Sequence, residues 1–123
     1  MIMNEDKKQQ IKLAITDLSN LPIGWDYGTD GPVSHRIIHK ALSVIDFIYP
    51  LIDNVEVMPF NYGGINLIFA NILDEYFVDI RINPDMTIDV VLEKGIGINY
   101  STILYESNSS IEYAKELIEN YIY

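Results

Sequence analysis

Two spacings of apolar residues divide this chain. From 5 to 19, Ile11, Ala14, Ile15 and Leu18 recur every three or four positions, which predicts a helix with one apolar stripe. Asn20 and then Pro22 end it. A second helix is expected after Gly31-Pro32, with Ser34 as N-cap because its hydroxyl can accept from a free backbone N–H. Ile37, Ile38, Ala41, Leu42, Val44, Ile45 and Ile48 give it a broad apolar face, and Pro50 stops it near Tyr49.

The period then falls to two, as strands require. Val55 and Val57 alternate with Glu56 and Met58 before Pro59, and Asn61-Tyr62-Gly63-Gly64 reads as a turn. INLIFANI (65–72) is apolar on both faces and suits a central strand. In YFVDIRIN (76–83), Tyr76, Val78, Ile80 and Ile82 share one side, and Phe77, Asp79, Arg81 and Asn83 share the other. After the turn Asn83-Pro84-Asp85-Met86, TIDVVLEK (87–94) places Ile88, Val90 and Leu92 inward and Asp89, Val91 and Glu93 outward. Residues 98–106 offer a fifth strand. SNSSIEYAKELIENYIY closes the chain as a helix, with Ser109 and Glu112 at capping-box spacing and Ile111, Ala114, Ile118 and Tyr121 or Ile122 inward. The expected fold is a single α+β domain over 1–123. An antiparallel meander of four or five strands carries two N-terminal helices and one C-terminal helix on one face.

Charge sharpens this outline. The chain has 123 residues and a formal net charge of −10. Residues 1–40 are neutral, whereas residues 41–123 set thirteen acids against Arg81, Lys94 and Lys115. Such a field repels nucleic acid and attracts basic partners. There is no cysteine, hence no disulfide, thiolate nucleophile or cysteine-ligated zinc. No apolar run reaches eighteen residues, and MIMNEDKKQQ lacks the apolar stretch of a signal peptide, so a cytoplasmic protein without membrane contact is expected.

Candidate chemistry is sparse. LPIGWDYGTDGP (21–32) holds the single tryptophan. Its glycines do not have phosphate-loop spacing, and no lysine follows. A structural loop is expected, with Trp25 filling a pocket between helix and sheet, Asp26 bonding loop N–H groups, Gly28 turning the chain and Pro32 leading into the helix. His35 and His39 lie four apart on one helix face, but a third metal ligand would have to be Asp46, so neither a metal nor a cofactor is expected. Ser34 and Ser43 have no evident oxyanion donors, which argues against catalysis. The outward sheet acids Glu56, Asp79, Asp89 and Glu93 are the most suggestive set. Alternate strand positions lie about 6.6 Å apart, and rows of carboxylates at that spacing can imitate a phosphate track. Arg81 would partly neutralise the row.

The chain also resembles a group of short bacterial and phage proteins without an assigned activity. Leu21, Gly24, Trp25, Asp26, Pro32 and Ser34 match a first block, Pro59, Gly63, Gly64, Ile65 and Leu67 a second, and Asn83-Pro84-Asp85 a third, over roughly residues 21–90. Tyr27 replaces a usual glycine, and Ile68 stands where an acid is common. The resemblance implies that the Trp25 stretch belongs to the framework, and it implies no substrate.

These features lead to an expected function. It is a non-enzymatic inhibitor that occludes a basic groove, as anti-CRISPR inhibitors of bacterial defence complexes do, through Glu56, Asp79, Asp89 and Glu93 with Glu112, Glu116 and Glu119 of the last helix. An immunity or antitoxin-like protein for a basic toxin is the alternative, and a hydrolase using His35 or His39 a third. Self-association through Tyr121, Ile122 and Tyr123 into a homodimer is compatible with each.

Overall fold

The computed structural model of the protein describes residues 2–21, 32–49, 51, 54–60, 63–71, 73, 75–96 and 99–123. Trp25, Asp26 and Gly28 of the expected structural loop lie outside the described residues.

Helix α1 spans Ile2–Asp17 and tightens into a 3-10 turn at Leu18–Asn20. Ile11, Ile15 and Leu18 are buried, whereas Ala14, expected inward, is exposed. Helix α2 spans His35–Ile48. Its cap is the one expected, the Ser34 hydroxyl accepting from Ile37 N–H at 3.4 Å, with Pro32 exposed just ahead of it. The two helices are tied together. Lys8 and Lys12, one turn apart on α1, both reach Asp46 of α2, at 3.2 and 2.7 Å. Val33 N–H also donates to Leu18 C=O at 3.1 Å, drawing together the end of one helix and the approach to the next.

Five strands follow: β1 Val55–Phe60, β2 Gly64–Ala70, β3 Tyr76–Ile82, β4 Ile88–Ile96 and β5 Asn99–Glu106. They pair antiparallel in sequence order, the expected meander with all five strands present. Pro59, expected beyond the first strand, lies within β1, an edge strand where a missing N–H leaves no interior ladder bond unmade. At the start of β2, a methyl group on Gly64 would sit 2.7 Å from the Ile82 carbonyl oxygen, so only glycine allows this approach.

The register explains the core. Val57, Leu67, Ile80 and Val90 stand side by side across the sheet, as do Val55, Phe69, Val78, Leu92 and Leu104. All three helices pack on this side, and Ile45, Ile48, Ala114 and Ile118 join those rows in one apolar cluster. Helix α3 spans Ile111–Leu117 and continues as a wider π-type segment to Ile122. Its cap is Ser110, one residue later than the expected Ser109, and accepts from Tyr113 N–H at 3.2 Å. Ser109 is held back because its own N–H bonds Ile88 C=O at the start of β4.

Candidate binding site on the open sheet face

The strand positions between the core rows form a second surface. Glu56, Ile68, Asp79, Val91 and Tyr105 lie in one row, and Met58, Asn66, Arg81 and Asp89 in the next. A third row runs Ala70, Phe77, Glu93 and Thr102. The four sheet acids therefore share the face turned away from the helices, as alternation predicts.

They do not form a free carboxylate track. Asp79 is 5% exposed at the centre of the face. Its Oδ2 accepts from Arg81 Nε at 3.0 Å. Its Oδ1 is buried and accepts no hydrogen bond among the described residues. Burial pushes the Asp79 carboxyl above its usual range; Arg81 opposes the rise, and the nearby Glu93 charge adds to it. The Arg81 guanidinium lies between two rings, 5.5 Å from the Phe60 centroid and 5.9 Å from that of Tyr105. Asp89 is committed as well, accepting from Tyr105 O–H at 2.9 Å and Asn108 N–H at 3.0 Å. Partial burial raises its pKa, but those two bonds, together with Asn83 and the Arg81 charge, outweigh it and hold the carboxyl below its ordinary value. The expectation of four available acids is thus corrected to two, Glu56 and Glu93. Arg81 meets the first inserted carboxylate, and a tyrosine and a backbone N–H meet the second.

Glu56 is exposed and Glu93 half-buried. Together with Ile68, Phe77 and Tyr100 they line an open depression of about 250 Å³. The Phe77 and Tyr100 rings meet edge to face, with centroids 5.4 Å apart. Tyr100 reaches this face through a bulge. Leu92 pairs with Leu104 but Glu93 with Thr102, so Ile103 is an extra residue on β5. Without it, Tyr100 and Tyr105, five residues apart, would point to opposite faces; with it, both point outward. The alternation of β5 is broken at Ile103, so a strict two-residue period could not reveal this aromatic rim.

Glu112, Glu116 and Glu119 are exposed, as expected. They do not join the sheet acids. Their helix buries Ala114, Leu117 and Ile118 against the helix-covered face, so these three glutamates lie on the other side of the sheet from Glu56 and Glu93. The seven acids form two surfaces, because helix and open face are separated by the sheet itself.

On α2, His35 and His39 are both exposed, and Asp46 is occupied by the two lysines. Among the described residues no group of three or more histidines and carboxylates is arranged to hold a metal ion. Ser43 Oγ donates to Lys40 C=O at 2.7 Å, and Ser34 caps the helix, so both hydroxyls serve backbone bonds. No described helix is long and apolar enough to cross a membrane. Comparison with protein-family models, with curated proteins and with solved structures yields no match to this chain.

Proposed function

We propose that this is a non-enzymatic binding protein of the cytoplasm that inhibits a basic, nucleic-acid-binding partner by covering its groove. In its narrower form, the partner is a bacterial defence complex and the protein the product of a phage or mobile element, acting as anti-CRISPR inhibitors do. The observation that carries the reading is the charge distribution. Thirteen acids face three bases across residues 41–123; Glu56 is exposed on the open sheet face to meet a partner, and Glu112, Glu116 and Glu119, exposed on the other side, add to the long-range field. A surface of this sign attracts a lysine- and arginine-lined groove and competes with the phosphates that groove was built for.

Affinity capture from host lysate, at low and high salt, tests the reading. A basic nucleic-acid-binding protein should be retained at low salt and released at high salt, because exposed ion pairs are screened. Retention should fall when Glu56, Glu93, Glu112, Glu116 and Glu119 are all changed to glutamine. Capture that ignores both salt and the five substitutions would overturn the proposal. Recovery of a small basic toxin would favour the immunity-protein reading instead.

A further inference from the structure

We infer that the depression between Glu56 and Glu93 is where the partner is gripped, and that it takes two basic side chains from one extended segment. This rests on the binding function proposed above and specifies its site.

The depression joins the two chemistries that hold a guanidinium or ammonium group, carboxylates and aromatic faces. Neither Glu56 nor Glu93 accepts a hydrogen bond or ion pair among the described residues, so both charges are available. Ile68 and Phe77 lie between them, and Tyr100 packs its ring against Phe77; all three supply apolar surface for the stems of long basic side chains. The same face already holds one such group. Arg81 sits between the Phe60 and Tyr105 rings with Asp79 as its counter-ion. Asp79 partly offsets that charge, so the two glutamates dominate the field that an incoming cation meets at the depression.

Spacing sets the number of cations. Glu56 is on β1 and Glu93 on β4, three strand intervals apart and one side-chain row apart along the strands, so their backbone positions are about 16 Å from each other. Two cationic heads, one for each carboxylate, match that separation better than a single head held midway. In an extended segment, side chains four residues apart point the same way and lie about 13 Å from each other. Because long basic side chains cover the remaining few Å, Arg-x-x-x-Arg or its lysine equivalent fits, whereas two adjacent arginines point to opposite sides and engage one carboxylate at a time.

Two capped, fluorescein-labelled peptides of equal charge provide the test, one with arginines four apart in a Thr/Val background and one with the arginines adjacent. Anisotropy at about 0.15 M salt should show the spaced peptide binding at least about fivefold more tightly. Glu56→Gln and Glu93→Gln should each weaken it about two- to fivefold, the upper part of the range for exposed charge pairs. Tyr100→Ala should weaken it by a similar factor through the lost ring. The triple variant Glu112→Gln/Glu116→Gln/Glu119→Gln, on the other side of the sheet and beyond a screening length of about 8 Å, should change it less than twofold. Equal affinity for the two peptides, or equal loss in the helix triple variant, would overturn the inference. If the spaced peptide fails to bind while the host partner is still captured in a salt-dependent way, this site is wrong and the acidic-inhibitor reading stands. If partner capture fails as well, both fall.

Discussion

Leu67 and Ile68 are neighbours on β2, yet they belong to different environments. Leu67 is fully buried, in a row of aliphatic side chains sealed by three helices. Ile68 is half-buried in a row that holds Glu56, Asp79 and Tyr105. One face of the sheet is uniform and closed. The other mixes aromatic rings, aliphatic side chains and charges, and keeps Met58, Tyr100 and Tyr105 between 41% and 63% exposed. Stability is concentrated on the first face. The second also buries groups, but it inserts a carboxylate where burial is unfavourable and offsets it with Arg81. A surface made only for solubility would leave Asp79 in water. This one is shaped, with a rim and a depression.

The sharpest contrast between the faces is volume. Leu67→Ala should cost about 2–5 kcal/mol in urea unfolding, the range for an aliphatic side chain removed from a tight core. Ile68→Ala should cost about 1 kcal/mol, because its partly exposed site opens to water rather than leaving a cavity. Equal costs would mean that the open face is as sealed as the core.

Next comes the inserted pair. Arg81→Met should destabilise by about 2 kcal/mol by stranding Asp79. That is less than the 3–5 kcal/mol of a fully buried pair, since the Arg81 side chain is 28% exposed and solvent screens part of the interaction. The pH dependence has a definite sign. The folded protein holds the Asp79 proton more tightly than the unfolded chain does. The contribution of this group is therefore full below the ordinary carboxylate range, and it is lost as pH rises through the raised folded value. Asp79→Asn, which cannot ionise, should gain stability relative to the parent between about pH 3 and about pH 7. A difference that stays constant across that range would contradict the burial of this carboxyl.

Smaller still is the strap between α1 and α2. Asp46→Asn should cost a few tenths of a kcal/mol, because the carboxylate is half exposed, and the cost should shrink in high salt. The hydrogen bond from Lys12 holds Asp46 below its usual pKa against the opposing effect of burial, and Lys8 adds to the lowering. That contribution is present above the ordinary carboxylate range and lost as pH falls through the lowered folded value. Thermal unfolding at two pH values and two salt concentrations checks both statements.

What could be read from the sequence follows from how regular each segment is. The core rows were legible because Val78, Ile80 and Ile82, like Ile88, Val90 and Leu92, keep strict alternation. The α2 cap was legible because Ser34 stands directly before a long apolar stripe. The candidate site was legible only in outline. Alternation placed Glu56, Asp79, Asp89 and Glu93 on one face, but it carries no information on which acids find partners. Asp89 meets Tyr105 and Asn108, sixteen and nineteen residues away. The bulge at Ile103 reverses the alternation within β5, and the separation of α3 from the sheet acids is a matter of layers rather than of spacing.

The central claim is that the open face, and not the acidic helix, receives the cationic partner. Backbone and methyl chemical-shift mapping of the full chain during titration with the spaced-arginine peptide tests it most directly. Shifts should concentrate at Glu56, Ile68, Phe77, Glu93 and Tyr100, leaving Glu112, Glu116 and Glu119 in place. Shifts centred on those helix glutamates, or spread evenly over the acidic surface, would contradict it.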